Sequence, residues 1–338
     1  MGGANGSREC APDDKLRDTH QLKFAKMMGF AKGSTHPTSC WTPLGRQRPK
    51  ADNYMLVSRA IKRTAGDSNV GNGQGVRRLD SGKLRPLYGA VDFRAVRRRS
   101  CTTSSVLVAR RRSEIAAGTG VVTRALAPKL SPGASYIVTD LNQPMLDYAA
   151  SRQAPDSRIK WRQADALALP FENAAFDLVC CQFGAMFFPD RSSAYREAKR
   201  VLKPGGHFLF NVWDRIEENV FADDVTNALA RIFPDDPPRF LARTPHGYHD
   251  TALIRSELED AGFSRVVIET RAEQSRASSP RLPAVAYCQG TLLRNEIEAR
   301  DAGKLEAATD YAASAIADRH GDGEVAAKIQ AHVIVAVV

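Results

Sequence analysis

Between residues 113 and 272 of this 338-residue chain, short apolar runs alternate with amphipathic stretches, and several runs end on a polar or acidic residue. Ser135-Tyr136-Ile137-Val138-Thr139-Asp140 reads as a strand ending on the acid, and Arg158 to Ala166 as another ending at Asp165. Phe176-Asp177-Leu178-Val179-Cys180-Cys181-Gln182 reads as a third. Val201-Leu202-Lys203-Pro204-Gly205-Gly206 is a helix end and tight turn that feeds the run His207-Phe208-Leu209-Phe210-Asn211-Val212. Strands alternating with helices predict an α/β fold with a doubly wound, mostly parallel sheet, which binds its ligand at the carboxyl ends of the strands. Further on, the pattern predicts a lid helix near 217–232, a helix from Asp250 to Ala261 stopped by Gly262, and a strand from Ser264 to Thr270. Two helical stretches follow within 283–319. The apolar run 331–338 is a final strand or a core helix end, too short to span a bilayer.

The most telling polar pattern is Glu114-Ile115-Ala116-Ala117-Gly118-Thr119-Gly120, with Asp140 twenty residues after Gly120. A Gly-x-Gly turn lets backbone approach a ligand where a Cβ would collide. An acid about 20 positions later, at the tip of the next strand, is placed to grip ribose hydroxyls. The dinucleotide pattern asks for a third glycine beside a pyrophosphate, and Thr123 stands there instead. A nucleoside cofactor lacking a pyrophosphate has less need of it.

Three further segments stand in order behind this loop: Asp165-Ala166-Leu167-Ala168-Leu169-Pro170-Phe171, Phe176-Asp177-Leu178-Val179 and Val201 to Gly206. Together with the glycine loop they resemble the class I S-adenosylmethionine-dependent methyltransferases, in the group around the ubiquinone/menaquinone C-methyltransferases (methyltransferase type 11). The resemblance implies a seven-stranded Rossmann-like sheet and S-adenosyl-L-methionine as cofactor. It implies that Glu114 orders the glycine loop, and that Ala116, Gly118, Thr119 and Gly120 lie along the methionine part. Asp140 then holds the ribose, Asp165 and Ala166 contact the adenine, and Gln182 lies near the acceptor. Leu141 and Met145 pack against the adenosine or, at i and i+4, serve helix packing.

Transfer of an activated methyl needs alignment and exclusion of water more than covalent help. Oxygen or carbon acceptors also need a base near neutral pKa. His246, Tyr248 and His249, in the run Thr244 to Asp250, form the polar-aromatic cluster placed to supply it. Phe183, Phe187 and Phe188 either wall an apolar acceptor pocket or pack in the core. Asp236-Pro237-Pro238-Arg239 lacks the aromatic residue of the run that amino-methylating enzymes carry after the fourth strand, and reads as a loop.

Charge changes the picture at one end only. Residues 1–112 hold 23 Lys and Arg against 8 Asp and Glu, whereas the remainder holds 25 against 30. With its Gly, Ser and Arg and little periodicity, 1–112 reads as a basic, low-order leader. It is a basic arm for nucleic acid or anionic lipid, a targeting peptide, or an upstream translation joined to a genuine domain. Arg110-Arg111-Arg112 stand where a buried apolar first strand is expected, so that strand is expected to be damaged, or replaced by Val106-Leu107-Val108. Leu87 to Phe93 is a weak candidate for a covering helix. The domains are then the leader 1–112, a cofactor-binding core 113–275 with a lid segment 215–250, and a helical extension 276–338.

The six cysteines show neither metal pairing nor a disulfide framework, and Cys180-Cys181 reads as small hydrophobes in a buried strand. The expectation is a cytoplasmic methyltransferase acting on a small molecule, with no metal site and no membrane span. The competing readings are an RNA-modifying protein that uses its basic arm, and a catalytically silent binding module.

Overall fold

The computed structural model describes residues 109–338. The basic leader, with Val106 to Val108 and Leu87 to Phe93, lies outside the described residues. Seven strands form one sheet: β1 (Arg111–Glu114), β2 (Ser135–Asp140), β3 (Ile159–Gln163), β4 (Phe176–Gln182), β5 (Leu202–Trp213), β6 (Arg265–Ala277) and β7 (Val325–Val337). Their order is β3-β2-β1-β4-β5-β7-β6, with β1 to β5 parallel and β7 antiparallel to both neighbours. The order reverses between β1 and β4, and such a switch point opens a crevice at the carboxyl edge.

The first strand is not replaced. Arg112, Ser113 and Glu114 pair with Tyr136 to Val138 on one side and Leu178 to Cys180 on the other. The expected cost of three buried guanidiniums does not arise, because Arg110 and Arg111 stay exposed at the strand's amino end. Asp177 fixes that end by accepting both of their backbone N–H groups, at 2.9 and 2.8 Å. Only Arg112 is buried, and burial lowers its pKa.

Helices α1 (Val121–Leu126) and α2 (Gln143–Arg152) cover one face of the sheet, where Tyr136, Val138 and Leu146 form a small core. On the other face, α3 (Arg191–Val201) packs on α6 (Thr251–Asp260), and Tyr195, Phe208, Phe210 and Ile254 fill the main core. Helix α6 begins on the carboxylate of Asp250, which accepts from Ala252 and Leu253, and stops at Gly262 in a left-handed turn (φ 90°). The turn before β5 is absorbed into the strand itself, with Gly205 at φ 74° and a register shift against β4.

The helix expected near 217–232 is α4 (Val220–Ile232), followed by the short α5 (Phe240–Arg243). Strand β6 extends beyond the predicted Thr270, and its last six residues pair with the part of β7 that lies past the end of β5. These projecting strand ends carry a second core, formed with α4, α5 and the three helices α7 (Arg281–Cys288), α8 (Leu293–Arg300) and α9 (Leu305–His320). The sequence suggested two helices there; Gly290 and Gly303 divide the segment into three. Asp224 of α4 accepts from His320 of α9 at 2.8 Å and pairs with Arg319, tying the two helices together. The run 331–338 is the end of β7, inside the sheet, which resolves the strand-or-helix ambiguity in favour of the strand.

Candidate active site

Because β1 to β5 are parallel, the residues singled out in the sequence collect along a single edge of the sheet. The loop after β1 turns three times through left-handed backbone, at Ala116 (φ 52°), Gly118 (φ 54°) and Gly120 (φ 73°). Its shape is fixed from β2: Ala117 N–H donates to the Thr139 carbonyl at 2.9 Å, and Gly118 N–H to Asp140 Oδ2 at 2.8 Å. Asn142 N–H donates to Asp140 Oδ1 at 2.8 Å. Leu141 N–H is a third backbone donor to this buried carboxylate, which keeps lone-pair capacity for a ligand. Burial raises the Asp140 pKa, opposed by the N–H groups of Asn142 and Gly118. The cap of α2 is Asn142, whose side chain accepts from Met145 N.

Glu114 lies beneath the loop, wholly buried. Its Oε2 accepts from the hydroxyls of Thr123 and Tyr136, both at 2.6 Å. Burial pushes its pKa up to about 7 against those two bonds. Thr123, in the place of the missing third glycine, therefore grips Glu114. Asp165 sits in the turn after β3, where Leu167 N–H donates to its Oδ1 at 2.9 Å. Ala166 is buried beside it, Leu141 is exposed, and Met145 is half-buried. Gln182 ends β4, in register with Asn211 of β5.

Next to Gln182, Phe183 takes a left-handed conformation (φ 49°) and stacks on Trp213 with ring centroids 4.0 Å apart. Trp213 in turn lies 6.1 Å from the ring of His246. His246 is buried, unlike a solvated loop histidine, with Nδ1 2.8 Å from the carbonyl oxygen of Asp214. A carbonyl only accepts, so Nδ1 carries the proton and the lone pair sits on Nε2. Burial pulls this imidazole's pKa down to about 4, below the near-neutral value expected of the base, so it is unprotonated at neutral pH but a weaker proton acceptor than the sequence suggested. Tyr248 is held in place: its hydroxyl donates to Glu257 at 2.6 Å and meets Tyr195 Oη at 3.0 Å, and Arg191 lies 4.0 Å over its ring. His249 is half-buried on the same loop. Phe183 and Met186 are buried in the main core, which Phe187 and Phe188 join from its rim.

Sequence reasoning passed over Trp213, Asp214 and Asn211. The rule that ligands bind at carboxyl ends of strands would have found them, because they close β5 as Gln182 closes β4.

Whether a nucleoside cofactor fits is decided by the loop itself. Thr119 Oγ1 is buried there without a protein partner. A free hydroxyl inside a glycine turn, beside a carboxylate with spare lone pairs, is what a ligand carrying both an amino acid and a ribose would complete. The sheet is that of a Rossmann-like methyltransferase.

A family model described as a methyltransferase domain matches residues 113–210. The demethylmenaquinone methyltransferase of Lactobacillus johnsonii is 29% identical over 167 residues, 46% of this chain and 68% of that protein. The ubiquinone/menaquinone biosynthesis C-methyltransferase UbiE of Ralstonia pickettii is 31% identical over 163 residues, 45% of this chain and 67% of that protein. The match spans about two thirds of the length of these curated relatives. Among solved structures, the YcgJ protein of Bacillus subtilis superposes with a TM-score of 0.44 at 19% identity, over 68% of this chain and 91% of that one. The chain belongs to the S-adenosyl-L-methionine-dependent methyltransferases, in the ubiquinone/menaquinone C-methyltransferase-like group.

Proposed function

We propose that this protein transfers a methyl group from S-adenosyl-L-methionine to a small-molecule acceptor held beside the Phe183–Trp213 stack and His246. The observation that carries this reading is the tautomer of His246. A buried neutral imidazole, its Nδ1–H spent on a carbonyl, presents an Nε2 that can take a proton from an acceptor carbon or hydroxyl.

When bound, the cofactor supplies a methyl on a positively charged sulfur, an electrophile that needs no further activation. The chain's residues do the rest. In this reading Gly118, Thr119 and Gly120 line the methionine part, Ala116 shapes the turn and Asp140 accepts from the ribose hydroxyls. Asp165 and Ala166 meet the adenine, Leu141 and Met145 flank it, and Gln182 marks the boundary with the acceptor. Glu114 and Tyr248 act one step removed, the first ordering the glycine turn and the second anchoring the 244–250 loop. His249 closes the rim. With the cofactor bound, these residues would align the acceptor with the methyl and exclude water, and His246 Nε2 would take the proton that the acceptor gives up.

The names of the relatives point to a reduced quinone ring as the first acceptor to try. The test is anaerobic incubation of the full chain with labelled S-adenosyl-L-methionine and 1,4-naphthohydroquinone. Label in the ring carbon supports C-methylation of a small molecule. Label only in added RNA, lost when residues 1–112 are removed, would replace it with the RNA-modifying reading. Among the described residues no helix is long and apolar enough to cross a membrane.

A further inference from the structure

Asn211 stands out among the buried polar residues that the cofactor reading leaves unused. It is 2% exposed near the carboxyl end of β5, and its Nδ2 has no hydrogen-bond partner. A buried amide donor left unpaired is unfavourable, so such groups mark either strain or a ligand. The rest of the residue is fully engaged. Phe183 N–H is shared between the Asn211 backbone oxygen at 3.2 Å and its Oδ1 at 3.3 Å. That pair of acceptors holds Phe183 in its left-handed conformation and sets the ring that stacks on Trp213. It also orients the carboxamide: Oδ1 faces the Phe183 N–H, and Nδ2 points away from it.

The sheet fixes which way this donor faces. Side chains alternate along a strand, and residues in register on adjacent strands share a face. Phe208, Phe210 and Val212 point into the main core, so Asn211 lies on the opposite face with Leu209. On that face its register partner is Gln182, which ends the neighbouring strand at the acceptor boundary. Gln182 and Asn211 therefore stand side by side across the β4–β5 edge, with Phe183 turned between them.

Building on the small-molecule reading above, we propose that Asn211 binds the methyl acceptor, donating from Nδ2 to an oxygen of the acceptor while its Oδ1 fixes the aromatic wall. The site thus selects acceptors that carry a carbonyl, phenol or carboxylate oxygen beside the carbon or oxygen that is methylated. A molecule offering only an N–H donor at that point would leave Nδ2 buried and unpaired and would be rejected.

The variant Asn211→Leu tests this in the full chain: it removes the donor together with Oδ1, and Phe183 N–H keeps the backbone oxygen as its acceptor. With 1,4-naphthohydroquinone as acceptor, KM rises about tenfold or more with a smaller change in kcat, and the dissociation constant for S-adenosyl-L-methionine is unchanged. The melting temperature without acceptor stays level or rises, because an unsatisfied polar group has been removed. An unchanged KM in a wild type that turns the probe over would overturn the assignment. So would a melting temperature lower by more than about 5 °C, since the amide would then be serving the fold. If the wild type neither binds nor methylates the hydroquinone, the acceptor named above fails separately, and the melting comparison still decides whether Nδ2 is a donor held for a ligand.

Discussion

Ala116 and Gly184 fit each other as bump and gap. A Cβ placed on Gly184 would stand 2.7 Å from the Cβ of Ala116 and 2.7 Å from Cys181 Sγ, both far inside contact distance. Ala116 adopts φ 52°, a region that costs a residue with a Cβ about 1–2 kcal/mol. The glycine loop therefore carries strain, and the turn after β4 is shaped to accept it.

From this pair, Ala116→Gly raises unfolding free energy by about 1 kcal/mol, the relieved strain outweighing the added freedom of the unfolded chain. Gly184→Ala lowers it by about 2 kcal/mol through overpacking. The double variant recovers part of that loss but not all, because Cys181 Sγ remains in the way. Urea unfolding of the four proteins measures the coupling; strictly additive effects would show that the two residues do not meet.

Asp140→Ala should abolish binding of S-adenosyl-L-methionine at least a hundredfold, by removing charged acceptors for the ribose and the bond that holds Gly118 N–H at 2.8 Å. Asp140→Asn separates the two roles. It keeps an acceptor for Gly118 N–H but turns its NH2 towards the N–H of Asn142, so the melting temperature falls by a few degrees while affinity falls about tenfold. Calorimetry on the full chain reads both. Equal affinity of Asp140→Ala and wild type would remove Asp140 from the site.

The glycine loop, Asp140 and the alternation of strands and helices were legible in the sequence because each rests on local rules: backbone freedom, strand-end placement and apolar period. The parallel half of the sheet follows from them. The arginine-rich start of β1 was misleading, since a count of charges does not show where a strand begins; Arg110 and Arg111 fall on its solvated end, and the N–H acceptor that fixes them is Asp177, 66 residues from Arg111. The burial of His246 was equally hidden. It depends on the Asp214 carbonyl, 32 residues away, and on a loop anchored by Tyr195 and Glu257, partners that no spacing rule links. The division of the C-terminal segment into three helices was blurred for another reason: Ala- and Glu-rich sequence is helical throughout, and only the glycines mark the breaks.

Glu114 predicts a specific pH dependence of stability. Its folded pKa is raised to about 7 from an ordinary 4.5, chiefly by burial. Between those values the unfolded chain releases a proton that the native protein retains, so the Glu114 contribution falls as pH rises from about 4.5 to about 7 and is flat above. The total change approaches about 3 kcal/mol. Glu114→Gln keeps an acceptor oxygen for Thr123 and Tyr136 and does not titrate. The stability difference between the variant and wild type therefore grows in the variant's favour across that window, measured by urea unfolding at pH 5 and 7.5. A constant difference would mean that Glu114 ionises normally.

His246 carries the last prediction, and here the sign is opposite. Its folded pKa is depressed to about 4 by burial, below the usual 6.5, so Nε2 stays unprotonated through the neutral range. The stability it contributes is present above pH 6.5 and is lost as pH falls from there towards 4. In catalysis, kcat/KM for a methylated acceptor stays level down to about pH 5 and drops only near pH 4, with no inflection near 6.5 from this residue. His246→Gln, which can still donate to the Asp214 carbonyl but cannot accept a proton, lowers kcat about a hundredfold while leaving cofactor affinity unchanged. Tyr248→Phe, which frees the loop from Glu257 but keeps the ring beneath Arg191, costs less and restores an acid limb closer to pH 6 as His246 becomes more solvated. An acid limb at pH 6.5 in the wild type that persists in His246→Gln would assign the proton transfer to another group.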